Sequence, residues 1–200
     1  MVADTQSDKE LIIQFQNGNQ TAFETLYNRY CDRLYSFLVY QIGNHTADDL
    51  FQDVMMNVQR HLLKFNPDGN FRAWLVKIAI NKIRDHHRKT NRMKKIFRVH
   101  TNDNPEREDV NELSDPEVTD PGDVALDFVN SEISKILNTA IQKLPEKQRE
   151  VVNLHYLMDL SFREIAEVLN CSINTISARA RYGLRNIKKI LGPKLVNELK

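Results

Sequence analysis

The sequence predicts an all-α fold of two small helical domains joined by a flexible acidic linker. Three observations carry that prediction. Helix-start signatures recur along the chain while strand alternation is scarce. Periodicity vanishes between about residues 99 and 127. Charge falls into blocks: residues 1–100 hold 15 Lys+Arg against 10 Asp+Glu, residues 101–127 hold 1 against 10, and residues 128–200 hold 12 against 7. The formal net charge of +1 therefore describes no part of the molecule and is a poor guide to its partners.

The helices are expected in the following order. "SDKE" (7–10), "TAFE" (21–24), "TADD" (46–49) and "SFRE" (161–164) each place Ser or Thr three residues before an acid. That pattern is the capping box, which satisfies orphan amides at a helix start. After Thr21 the apolar residues Phe23, Leu26, Tyr27, Tyr30, Leu34, Phe37 and Leu38 keep a helical period. A second helix is expected from about Ala47 to Leu63, with Ala47, Leu50, Phe51, Val54 and Val58 inward. "FNPDGN" (65–70) reads as a turn because Pro and Gly break helices and Asn and Asp favour turns. A long helix then runs from about Phe71 into the low nineties.

The stretch "TNDNPEREDVNELSDPEVTDPGD" holds three prolines, few large apolar residues and almost one sign of charge. It cannot bury enough surface to offset its ordering entropy, so a flexible linker is expected. The expected division is residues 1–98, a linker at 99–127, and a second domain at 128–200. Helical pattern resumes in "FVNSEISKILNTAIQKL", breaks at Pro145 and continues through "EKQREVVNLHYL".

The stretch "SFREIAEVLNCSINTISARARYGLRNI" (161–187) has the size and spacing of a helix-turn-helix, whose second helix enters the major groove. Ser161 caps its first helix and Ser172 its second, with Asn170 at the sharp turn because Asn tolerates the left-handed conformation. Ile165, Leu169, Ile173 and Ile176 are expected as the buried seam, with Ala180, Leu184 and Ile187 continuing that side. Asn174, Thr175, Ala178, Tyr182 and Arg185 should face away, flanked by Ser177, Arg179 and Arg181. Asn, Thr and Arg can read base edges, and Arg and Tyr also hold phosphates.

In "FRAWLVKIAINKIRDHHRKTNRMKK", the residues Lys77, Asn81, Arg84, Arg88, Arg92 and Lys95 share one helix face, with Trp74 at the same edge a turn earlier. Basic residues neutralise phosphates, and aromatic residues stack on bases that have left the duplex. Only Asp85 interrupts the sign of that stripe. The preceding helix presents Asp48, Asp49, Gln52, Asp53 and Met56, a face suited to a basic protein partner.

Other classes are weaker fits. No apolar run approaches a membrane span, and "MVADTQSDKE" lacks a signal peptide's apolar stretch, so a cytoplasmic location is expected. Cys31 and Cys171 form no CxxC pair, which argues against a disulfide framework or metal site, and no cofactor or small-molecule substrate is implied. A free-standing regulator would explain the carboxyl half alone. A nuclease built on Asp85, His86 and His87 would need adjacent histidines that point apart on a helix.

The chain resembles RNA polymerase sigma factors of the small, two-domain extracytoplasmic-function group of the sigma-70 family. "AFETLYNRYCDRLYSFL", "ADDLFQDVMMNV" and "FRAWLVKIAINKIRDHHR" are similar to conserved region 2. "LPEKQREVVNLHYLMDLSFREIAEVLNCSINTISARARYGLRNI" is similar to region 4, with Asn170 where the family usually has Gly. The resemblance implies a promoter-specificity factor that binds core RNA polymerase and leaves bond-making to it. In region 2 the acidic helix would dock on the polymerase clamp helices through Asp49, Gln52 and Asp53, with Leu50 and Phe51 beneath. The −10 element would be recognised as it melts by Asn66, Asp68, Asn70, Phe71, Trp74, Asn81, Lys82, Arg84, Asp85 and Arg88. Region 4 would read the −35 element as duplex and touch the polymerase flap. The acidic linker would thread toward the RNA exit path, and an anti-sigma factor is an expected partner.

Overall fold

The computed structural model describes residues 6–100 and 132–198, with side chains described over 6–93 and 136–192. Eight helices and no strand are found among the described residues: α1 (Asp8–Gln16), α2 (Gln20–Ile42), α3 (Asn44–Leu62), α4 (Phe71–His100), α5 (Glu132–Gln142), α6 (Glu146–Tyr156), α7 (Phe162–Leu169) and α8 (Ile173–Glu198). Residues 101–127 of the expected linker lie outside the described residues.

Two of the expected capping boxes form. Ser7 and Glu10 exchange hydrogen bonds at the start of α1, and Ser161 and Glu164 do the same at α7. The boxes expected at Thr21 and Thr46 do not start helices. α2 begins earlier, where the Asn19 side chain accepts from the Thr21 amide at 3.1 Å. α3 begins at Asn44 after Gly43, which adopts φ 78° and offers no side-chain cap. In both cases a turn residue upstream ends the preceding helix first, so the Ser/Thr-x-x-acid pattern falls inside the new helix.

Ser36, Phe37, Leu38, Val39, Tyr40 and Gln41 of α2 are all buried, so its carboxyl half is enclosed on every side. α3 and α4 turn Val54, Val58 and Leu62, and Leu75, Val76, Ala79 and Ile80, onto the same core. That core does not stop at the amino-terminal group. One continuous buried cluster also takes in Val151, Leu154, Met158, Leu160, Ile165, Val168, Leu169, Ile176 and Ala180. The carboxyl-terminal helices thus rest on the amino-terminal ones, with α7 against α4 and α6 against α2. A second small cluster of Ala140, Leu144, Val152 and Ile187 joins α5, α6 and α8.

α7 and α8 meet at the expected turn. Asn170 takes φ 54° and ψ 50°, and the following Cys171 amide donates to the Ala166 carbonyl at 2.9 Å, closing the end of α7. The Ser172 hydroxyl accepts from the Thr175 amide at 3.1 Å and so caps α8. The seam of α8 differs from the expected one. Ile173 is 46% exposed and Leu184 44%, while Ile176, Ala180, Gly183 and Ile187 are buried. The reason is the closeness of α6: a Cβ placed on Gly183 would lie 2.9 Å from Val152 Cγ2. The helix turns its glycine, rather than Leu184, toward its neighbour.

Candidate nucleic-acid interface

The turn between α3 and α4 is tightly built. The Asn66 side chain accepts from the Asp68 amide at 3.1 Å, and the Gly69 amide donates to the Asn66 carbonyl at 2.8 Å. Asn70 caps α4, its side-chain oxygen accepting from the Ala73 amide at 2.9 Å. From α1, Gln16 donates to the carbonyls of Leu62 (3.0 Å) and Phe65 (2.7 Å), and Lys9 pairs with Asp68 at 2.6 Å. Asp8, Lys9 and residues 67–72 line a shallow cleft between α1 and this turn.

Beneath the turn lies an aromatic group. Phe65 and Trp74 stand 4.7 Å apart between ring centroids, Phe71 and Trp74 5.8 Å, and Tyr30 and Phe71 5.3 Å. Phe71 is only 4% exposed and Trp74 is half-buried against the core. Phe71, expected among the −10 contacts, is buried here, because the first apolar position of α4 fills the space under the turn. Trp74 likewise spends much of its ring on Phe65 and Phe71.

Along α4, Lys77, Asn81, Arg84, Arg88 and Arg92 are all exposed, as one face of a helix requires; the Lys95 side chain lies outside the described ones. Asp85 neutralises its neighbour Arg88 through an ion pair. Half-buried Lys82 reaches across to Asp53 of α3 at 3.4 Å. On α3 the residues Asp48, Asp49, Gln52, Asp53 and Met56 are all exposed, Met56 at 54%. The Tyr35 hydroxyl donates to Asp48 at 2.9 Å and orients it. Anionic and cationic faces thus sit on adjacent helices, and the Lys82–Asp53 ion pair links those helices.

On α8, Asn174, Arg181, Tyr182 and Arg185 are exposed, while Thr175, Ser177, Ala178 and Arg179 are half-buried. Arg181 and Arg185 flank the Tyr182 ring at 5.6 and 5.5 Å from its centroid, holding a flat cationic unit on the surface. The Thr175 hydroxyl lies 2.8 Å from that of Ser172 and is engaged in the cap. Arg179 donates toward the Cys171 sulfur at 3.8 Å. His86 and His87 have ring centroids 6.0 Å apart, and among the described residues no cluster of three His, Cys, Asp or Glu could hold a metal ion.

Sequence reasoning gave no role to Arg72 or Asp159, and gave Glu164 only its cap. Arg72 donates to the Asp159 carbonyl at 2.7 Å and to its carboxylate at 2.5 Å. Asn70 donates to the Glu164 carboxylate. The first contact joins the α3–α4 turn to α7 and the second joins the start of α4 to the α6–α7 connection, and nothing local to these segments signals them.

A stripe of exposed cations on one helix and a helix-turn-helix bearing a second cationic surface define a class, that of helical proteins that bind nucleic acid. The family follows from comparison with known proteins. The family model described as Sigma-70 region 2 matches residues 26–93, and that described as Sigma-70, region 4 matches residues 132–187. The ECF RNA polymerase sigma factor SigW of Bacillus subtilis (strain 168) is 31% identical over 185 residues, covering 92% of this chain and 96% of SigW. Among solved structures, CnrH in complex with the cytosolic domain of CnrY has a TM-score of 0.60 at 25% identity, covering 93% of this chain and 97% of CnrH. The sigma factor RpoE from Bartonella quintana, solved with the anti-sigma factor NepR, has a TM-score of 0.61 at 23% identity over 84% of this chain and 96% of that one. The chain belongs to the sigma-70 family, in its ECF group of RNA polymerase sigma factors. No helix among the described residues is long and apolar enough to cross a membrane.

Proposed function

We propose that this chain directs core RNA polymerase to promoters by a division of labour between adjacent surfaces. The exposed face of α3, carrying Asp48, Asp49, Gln52, Asp53 and Met56, grips the clamp helices of the enzyme. The stripe on α4 and the turn at 66–70 hold the −10 element as it opens, with Phe71 and Trp74 supporting the turn from beneath. Asn174, Arg181, Tyr182 and Arg185 of α8 read the −35 duplex, with Arg179 at the edge of that surface, and the same domain touches the flap. Trapping an unstacked base offsets the few kcal/mol, on the order of 2–4, that unstacking costs. The protein itself makes and breaks no covalent bond, so it acts as a specificity factor and not an enzyme.

The observation that carries this reading is the juxtaposition of α3 and α4. A helix face with exposed acids is repelled by DNA, and one with exposed cations is repelled by a basic partner, so two partners are required. Division into domains at 1–98 and 128–200 and a cytoplasmic location complete the proposal. The acidic linker would occupy a channel built for nucleic acid and be displaced by nascent RNA. Restraint by an anti-sigma factor that covers the polymerase-binding surface is proposed as well; the relative CnrH was solved with a second protein bound.

The test is run-off transcription with core polymerase and a promoter library. Parent protein should yield specific transcripts. Asp53→Ala should lose core binding with DNA contacts intact, and Arg84→Ala should keep core binding and lose promoter opening. Equal transcription from all three proteins would refute the division of labour.

A further inference from the structure

α1 lies outside the region 2 match, which begins at residue 26, yet it forms one wall of the cleft beside the α3–α4 turn. That wall is fixed. Leu11, Ile12 and Phe15 are buried in the core, and Asp8 is tied to α2 by an ion pair with Arg29 at 2.5 Å and a hydrogen bond from Tyr30. Gln16 donates to the carbonyls of Leu62 and Phe65, which sets the start of the turn against the same helix.

The polar groups around the cleft are unequally engaged. Asn70 gives its amide to Glu164, Arg72 closes on Asp159, and Asp8 serves Arg29 and Tyr30. Lys9 and Asp68 pair from opposite walls at 2.6 Å, and among the described residues their side chains make no other hydrogen bond. They are 57% and 71% exposed, so further ammonium N–H groups and the second carboxylate oxygen are open to a ligand. Stability does not account for Lys9. It sits in the first turn of α1, where a cation opposes the helix dipole, and an exposed pair adds little to folding.

We propose that the cleft between α1 and the turn seats one unstacked base of the −10 strand, and that Lys9 is a specificity-determining residue for that base. The inference rests on the proposed role of the turn in holding the −10 element. Asp68 accepts from an exocyclic amine of the base, and Lys9 donates to an acceptor on the same edge. Adenine, cytosine and guanine each carry an amine and an acceptor on one edge. Thymine has no amine, and its single ring N–H lies between two carbonyls that repel the carboxylate. Lys9 also holds Asp68 in place, so the acceptor is positioned before the base arrives.

The test uses the full chain assembled with core polymerase and promoters in which each −10 position carries each of the four bases. Competitive retention of opened DNA reads the preference at every position. At one position the parent holoenzyme should prefer an amine-bearing base to thymine. Lys9→Met should shrink that preference by about threefold to tenfold and leave the other positions as they were. Lys9→Arg, which keeps the charge and the donors, should retain most of it. Replacing the preferred base by its analogue without the exocyclic amine should weaken the parent holoenzyme and affect Lys9→Met much less, because both changes cut one network. Helicity and thermal midpoint should be the same in all three proteins.

Unchanged preferences at every position in Lys9→Met overturn the proposal. So does an equal loss at all positions with a shallower salt dependence, which is the signature of a phosphate contact. A preference for thymine at the position sensitive to Lys9 overturns the pairing with an amine. Failure of the underlying reading looks different: the parent holoenzyme would itself show no base preference across the −10 element.

Discussion

The Lys82 ammonium lies 3.4 Å from the Asp53 carboxylate, joining α4 to the acidic face of α3. Both side chains keep solvent access, 29% for Lys82 and 53% for Asp53. A pair in that setting contributes about 0–1 kcal/mol to folding. Its consequence is geometric: the pair ties α4 to α3 at the point where the two surfaces adjoin.

Substitution of either residue should therefore separate function from stability. Asp53→Asn is expected to lower the unfolding free energy by about 1 kcal/mol or less, yet to weaken core polymerase binding in a titration. Lys82→Met should leave core binding unchanged and weaken retention of opened promoter DNA. Loss of core binding in the Lys82 variant would show that the two surfaces are not separable.

A second prediction concerns the approach of α6 to α8. Replacing a mid-helix glycine by alanine ordinarily stabilises by about 0.5–1 kcal/mol. At Gly183 the new methyl would meet Val152 Cγ2 at 2.9 Å, too close without movement of one helix. Overpacking costs about 1–3 kcal/mol, which outweighs the helical gain. Gly183→Ala should lower the Tm, and adding Val152→Ala should recover part of the loss, since the second change removes the obstructing atom. A double-mutant cycle by thermal denaturation reads the coupling directly.

What could be read from the sequence was local. Ser161–Glu164, Asn170 and Ser172 each act on atoms within a few residues, and all three features of the helix-turn-helix formed as expected. The false starts at Thr21 and Thr46 came from the same kind of pattern, overridden by Asn19 and Gly43 upstream. Periodicity placed α8 correctly but set its phase by residue hydrophobicity, which assigned Ile173 and Leu184 inward and missed that a glycine makes the closest approach. On α4 the exposed stripe was legible because five positions share a face. The burial of Phe71 was not legible, because it depends on Tyr30 and Phe65 from other elements. Least legible were Asn70–Glu164 and Arg72–Asp159, separated by 94 and 87 residues, since no short-range rule couples segments so distant.

The last prediction uses two carboxylates with opposite pH behaviour. Burial pushes the Glu150 carboxyl up from its ordinary value of 4.5; Glu146 adds to this, while Arg84, Arg179 and Lys147 only partly offset it. For Glu164 burial also acts upward, but hydrogen bonds from Ser161, with help from Arg72 and Asn70, outweigh it and leave the group below 4.5. An acid raised in the folded state destabilises the fold once ionised, and that cost disappears as pH falls through its folded value to 4.5. An acid lowered in the folded state contributes stability above 4.5 that is lost as pH falls through its folded value. Glu150→Gln should therefore raise stability relative to the parent at neutral pH, with the difference shrinking in the window just above 4.5. Glu164→Gln should lower stability at neutral pH, with the difference shrinking below 4.5. Denaturant melts of both variants against the parent from neutral to acid pH check the signs. A Glu150→Gln difference that stays constant across that range would mean that its carboxyl is solvated in the folded chain.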